Sequence, residues 1–263
     1  MKNIINWKVF WILLVAAIIA TILLLPYALE VQSSAIDLTK LPIPWPLVLT
    51  LQIVQNAILF AIAIFGGLFF AGRVGLGTPI LDSVSRGEPI ADRVRALLPL
   101  SVILGVATTL VVLGLEIFYF QPAMAKELGE TAAALNLQSS QPAAWKGFLA
   151  SFYGGIAEEI LLRLFVMSFL VWLGRFLSKT SDGRPTNPIF WIANILAAVL
   201  FGLGHLPTVA LLVPLTAIVV MRTVVLNGLI GIVCGWLYWK RGLEAAMISH
   251  FSADLVLHVL LAL

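Results

Sequence analysis

The run WKVFWILLVAAIIATILLLPYAL, Trp7 to Leu29, decides the fold. Only Lys8, Thr21 and Pro26 interrupt its apolar character, and a membrane helix needs about 20 such residues. The run is longer than the apolar core of an ordinary signal peptide, and no small-x-small cleavage site follows it, so it reads as an uncleaved span. Comparable runs recur along the chain. They cover Trp45 to Gly72, Ala96 to Phe120, Trp145 to Leu173, Pro188 to His205, Thr208 to Trp239 and Leu243 to Leu263. Of the 263 residues 61% are hydrophobic and 11% are charged, and the mean hydropathy is +1.05. Soluble domains carry about a quarter charged residues. The composition therefore excludes a soluble globular enzyme, a disordered chain and a disulfide scaffold. It predicts an all-α fold: a polytopic transmembrane bundle, integral to a membrane (the cell membrane in a prokaryote). The lone Cys234 allows no disulfide within the chain. The basic residues, in a net charge of +3, form no stripe suited to nucleic acid.

The polar loops set the topology. The most polar is 73–95, with a short interfacial helix as one reading of it; others are Glu30 to Pro44 (with Asp37 and Lys40), Gln121 to Ala144 and 174–187. The segment between His205 and Lys240 has two readings. One long bent span gives seven in all; two short spans turning near Arg222 give eight. If His205 and His250 meet one substrate, their depths favour eight. With eight, the N-terminus, 73–95, 174–187 and Arg222 share a side carrying ten basic residues, against five on the other. That bias places the N-terminus in the cytoplasm and strands Lys240 and Arg241 on the poorer side.

Charges in hydrocarbon cost about 2.5–3.5 kcal/mol each on insertion scales, so each needs a reason. The fourth run carries Glu158, Glu159 and Arg163. On an α-helix Glu159 and Arg163 share a face and pair, while Glu158 points about 100° away. An intramembrane carboxylate without a full partner is available as a general base. His205 ends Phe201-Gly-Leu-Gly-His205, whose glycines admit a close neighbour. His250 and Asp254 share one helical face. Together these residues make a site able to activate water. Each also has a structural alternative: the Glu159–Arg163 pair as interhelical glue, a histidine as a helix-to-helix hydrogen bond. His258, Asn194 and Asn227 read as interhelical hydrogen-bonding groups, Glu116 as interfacial, and Glu30 and Glu244 as run-end charges. Trp45, Trp145 and Trp239 read as interfacial anchors.

In order, Glu158-Glu159-x-x-x-Arg163, Phe201-x-x-x-His205 and His250-x-x-x-Asp254 resemble the motifs E-E-x-x-x-R, F-x-x-x-H and H-x-x-x-N/D of the CPBP family, the CAAX proteases and bacteriocin-processing enzymes also called Abi. The Gly-rich stretch Gly228 to Tyr238 also looks like the helix that precedes the family's last histidine. The likeness covers 145–263, the CPBP-like catalytic membrane region; 1–144 is recognised only as three N-terminal membrane helices and their loops. The resemblance implies an intramembrane endopeptidase. Glu158 and His205 would activate the attacking water, His250 and Asp254 would stabilise the oxyanion, and Glu159 and Arg163 would shape the site. Relatives remove the last three residues of prenylated C-a-a-X proteins, or are linked to bacteriocin processing and immunity. The implied partners are the lipid bilayer and a membrane-associated protein or peptide.

Asp254 stands where an Asn would donate to an oxyanion. An ionised Asp repels one, so Asp254 serves there only when protonated; otherwise it orients His250 or binds metal. Metal dependence stays open. Two His and a carboxylate are a common Zn2+ set, with Glu158, His205 and His250 the candidates, but no His-Glu-x-x-His helix is present. Two other functions remain. One is a non-enzymatic membrane adaptor or bacteriocin-immunity protein with a structural polar cluster. The other is a transporter, for which no broken-helix inverted repeats are visible.

Overall fold

The computed structural model describes residues 5–35, 44–129 and 142–263. The parts of the expected loops at 36–43, with Asp37 and Lys40, and at 130–141 lie outside them. The described residues form a helical bundle. Its first elements are α1 (Trp7–Ala35), α2 (Trp45–Val74), the short α3 (Pro79–Ser85) and α4 (Ala91–Leu115). A π-turn at Glu116–Phe120 extends α4 into α5 (Gln121–Leu128). The next helix is continuous: α6 (Ala144–Phe152), π-helical stretches at Tyr153–Glu158 and Ile160–Met167, then α7 (Ser168–Gly174). The chain ends with α8 (Asn187–Gly204), α9 (Leu206–Ala210), α10 (Ala217–Arg241) and α11 (Leu243–Asp254).

Six helices are long and apolar enough to cross a membrane: Trp7–Gln32, Trp45–Val74, Ala91–Leu128, Asn187–Ala210, Ala217–Arg241 and Leu243–Ala262. Their outward faces carry exposed Ile12, Val15, Ile19, Leu51, Ile58, Ile62, Ile103, Leu110 and Ile192. Apolar surface that extensive is a lipid-facing surface, because a soluble monomer rarely exposes contiguous patches beyond a few hundred Å2. The charged Ala144–Gly174 helix is a seventh of membrane length. The main apolar core runs from Val9 on α1 to Ala253 on α11 and so draws on both regions of the chain.

No turn occurs near Arg222: α10 runs unbroken through it, and the chain reverses instead around Val213–Leu215 and at Gly242. With the six apolar helices and the Ala144–Gly174 helix, the described residues make about seven crossings, the lower of the two expected readings. Arg222 tolerates the interior because Glu116 accepts two hydrogen bonds from it, from Nε and Nη2 at 2.8 Å each. Glu116 is fully buried within the bundle.

Helices α8 and α10 are antiparallel. Phe190 stacks on Trp239 at 4.7 Å, Asn194 donates to the Ile232 carbonyl, and Gly202 lies against Val224. Gly242, at φ +98°, turns the chain into α11; a Cβ there would also lie 2.2 Å from Pro79. Leu243 N–H donates to the Gly77 carbonyl, and Glu244 accepts from the amides of Ile80 and Leu81. Glu244 is thus a buried cap on α3 and not a free run-end charge. Asn227 donates to Thr223 of its own helix instead of a neighbour.

Seven spans also remove the charge conflict. Lys8, Arg73, Arg86, Arg93, Arg95, Arg175, Lys179, Arg184, Lys240 and Arg241 now lie at one end of the bundle, where Asn6 meets Ser85 and Phe190 meets Trp239. Lys126 and Lys146 lie at the other, where Lys146 pairs with Glu30. That first end carries the larger share of the described Lys and Arg residues, the kind of asymmetry that sets membrane orientation.

Candidate active site

The Glu158–Arg163 string lies within the π-wound part of its helix. The π form is rare and recurs at functional sites. Glu159 and Arg163 are both sealed from solvent and pair at 3.2 Å. Arg163 donates to the Gly231 carbonyl at 2.9 Å, and its guanidinium sits 5.0 Å from the Phe201 ring. Gly231 makes room for this: a Cβ there would meet Arg163 Nη2 at 3.2 Å and Ala198 Cβ at 2.9 Å. His250 Nδ1 lies 2.7 Å from Glu159 Oε1. A carboxylate accepts, so Nδ1–H donates, and Glu159 orients His250 as well as pairing with Arg163.

That bond aims His250 Nε2 at two further carboxylates. Glu158 Oε2 and Asp254 Oδ1 each lie 3.7 Å from it. These gaps exceed a direct hydrogen bond and suit an oxygen held between the groups. Glu158 differs from Glu159 in access: its side chain is 22% exposed, against 0%. Gly154, one turn before Glu158, leaves the space that Asp254 fills. A Cβ at 154 would lie 2.1 Å from Asp254 Oδ2 and 3.3 Å from His250 Nε2.

His205 caps the end of α8. Its Nδ1 donates to the Phe201 carbonyl at 2.9 Å, which leaves Nε2 of the neutral ring as an acceptor. Phe201 stands edge-on to both imidazoles, 4.8 Å from His205 and 5.4 Å from His250 by ring centroids. The two histidines therefore flank one aromatic ring. The short α9 and one long antiparallel helix, α10, separate them in sequence, so an even number of crossings is not needed. Gly202 provides the expected close approach, while Gly204 has nothing near it.

The donor set suits Zn2+ poorly. Among the described residues one trio of potential ligands has its atoms mutually within 4.8 Å: Glu159, Cys234 and His250. It fits a cation poorly, because the Arg163 guanidinium lies against the same Glu159 oxygen that His250 Nδ1–H already occupies. Glu158, His205 and His250 do not close into such a trio.

Residues 140–256 match the family model for type II CAAX prenyl endopeptidases, Rce1-like. This part of the chain is an Rce1-like domain. The match agrees with the CPBP resemblance of this part of the chain, and the family it names is one of proteases. Neither curated proteins nor solved structures provide a match to the chain. Within the Rce1-like domain, three site features escaped sequence reasoning. They are the Glu159–His250 bond, the space at Gly154 and the proximity of Cys234. Only Gly154-Gly155 left a trace, as a small-residue pair in an apolar run.

Proposed function

We propose that the protein is an intramembrane endopeptidase acting on a membrane-associated substrate of the prenylated C-a-a-X type, with Glu158 as the general base. One observation carries the reading. Of two adjacent glutamates in hydrocarbon, Glu159 is sealed, with Oε1 shared by Arg163 and His250 and Oε2 buried without a partner, whereas Glu158 is accessible and faces His250 Nε2 across 3.7 Å. A purely structural cluster has no use for the second, accessible carboxylate, so the adaptor reading accounts for less of the site.

In the proposed reaction Glu158 takes a proton from water while His205 Nε2 accepts the second O–H and orients it. The water oxygen attacks the scissile carbonyl carbon. The oxyanion forms beside His250 and Asp254, and each can donate only if it carries a proton, on Nε2 and on the carboxyl respectively. The proton held by Glu158 then passes to the departing amide nitrogen as the C–N bond breaks. Glu159 and Arg163 are positioning residues that hold His250. Proximity and general-base catalysis of this kind contribute about 10²–10⁴-fold.

The test uses the full chain in liposomes with a farnesylated peptide ending in C-a-a-X, reading tripeptide release by mass spectrometry. Glu158→Gln, His205→Ala and His250→Ala are each expected to lose at least about a hundredfold in cleavage while keeping a folded, monodisperse protein. Full activity in all three would reject the proposal.

A further inference from the structure

A second site lies at the basic end of the bundle, away from Glu158. A cavity of about 500 Å3 opens where the end of α2, the start of α4 and the end of α10 meet. Arg93, Lys240 and Arg241 line it, all exposed. Among the described residues none of the three has an ion pair or a side-chain hydrogen bond to a carboxylate. Lys240 rests over the Trp239 ring, Nζ 3.4 Å from its centroid. Asp82 also lines the cavity and accepts from Asn6; its one carboxylate against three cations leaves the lining net cationic. A concave space with an excess of positive charge attracts an anion.

The surroundings say which anion. The cavity sits between membrane helices, at the end that the charge bias assigns to the cytoplasm, where the leaflet is anionic. Basic pockets in that position take phosphate headgroups, and Trp239 supplies the interfacial aromatic wall. We infer that this cavity binds the phosphate headgroup of an anionic phospholipid. The site is coupled to the bundle through its floor. Gly77 accepts from Leu243 N–H, and Glu244 holds the amides of Ile80 and Leu81. These bonds tie the cavity to the start of α11, seven residues before His250. The inference rests on the membrane fold alone and not on the protease reading.

The experiment uses the detergent-solubilised full chain and dihexanoyl phosphatidylglycerol, dihexanoyl phosphatidylcholine and glycerol 1-phosphate as probes. It reads bound adducts by native mass spectrometry and the thermal midpoint. Phosphatidylglycerol is expected to bind and raise the midpoint, and phosphatidylcholine is not. Each of Arg93→Gln, Lys240→Gln and Arg241→Gln is expected to weaken phosphatidylglycerol about fivefold. The control pair Arg175→Gln and Lys179→Gln, at the same end but outside the cavity, is expected to leave it unchanged. Three results overturn the inference: equal binding of the two lipids, retention of the preference in the Arg93/Lys240/Arg241 triple variant, or loss of it in the control pair. Equal binding of glycerol 1-phosphate also overturns it, assigning the site to free phosphate. If the triple variant does not fold, the single variants decide. No substrate is present, so either outcome leaves the cleavage test standing on its own.

Discussion

Gly154→Ala tests whether the position of Asp254 matters to catalysis. The added methyl would lie 2.1 Å from Asp254 Oδ2, where a carbon–oxygen contact normally sits at about 3.3 Å. The carboxylate must then retreat by about 1.2 Å, the difference between those distances. A misplacement of about 1 Å at a reacting centre costs about a hundredfold in rate. Stability should move far less: alanine gains up to about 1 kcal/mol over glycine in a helix, which partly offsets about 1–3 kcal/mol of overpacking. The expected result is therefore cleavage down about a hundredfold with the thermal midpoint nearly held. Gly114→Ala, on α4 with nothing near its Cβ position, provides a control that should cleave normally. The assay is release of the C-terminal tripeptide from a farnesylated peptide in liposomes, beside a melting curve. A cycle with Asp254→Ala isolates the cause. If the clash acts through Asp254, Gly154→Ala adds little once that carboxylate is gone. Unchanged cleavage in Gly154→Ala, or full additivity with Asp254→Ala, would refute the reasoning.

Other predictions separate structural from chemical roles. Glu159→Gln strands Arg163 in the interior and is expected to destabilise by about 3–5 kcal/mol, whereas Glu158→Gln, being partly exposed, should leave the denaturation midpoint nearly unchanged. Glu116→Gln is expected to cost a similar 3–5 kcal/mol by leaving Arg222 buried and unpaired, and the double change Glu116→Gln with Arg222→Met should recover much of it; no recovery would show that the loss lies elsewhere. Asp254→Asn should cleave about a hundredfold faster than Asp254→Ala if hydrogen-bond donation is its role, and equal rates would remove that role. For topology, Ser181→Cys in the basic loop is expected to react with a membrane-impermeant maleimide only from the cytoplasmic side, since Cys234 is buried; labelling of intact cells from outside would invert the orientation.

Sequence alone was enough for the membrane class, the helical architecture and the residues worth watching. Apolar runs of bilayer length need no partner to be recognised, because every backbone polar group in lipid must bond within its own helix. The charges at 158, 159 and 163 and the two histidines stood out for the same reason: hydrocarbon makes each of them expensive. The Glu159–Arg163 pair was also legible, since it lies within one helix. The number of crossings was not legible. Arg222 looked like a turn because its partner, Glu116, is 106 residues away, and pairing over that separation depends on how α4 and α10 pack. The same limit hid the division of labour between the two glutamates. Neighbouring side chains on one helix have equal standing until other helices close around them. It is α11, bringing His250 against Glu159, and Gly154, leaving Asp254 its space, that sealed one carboxylate and left the other accessible.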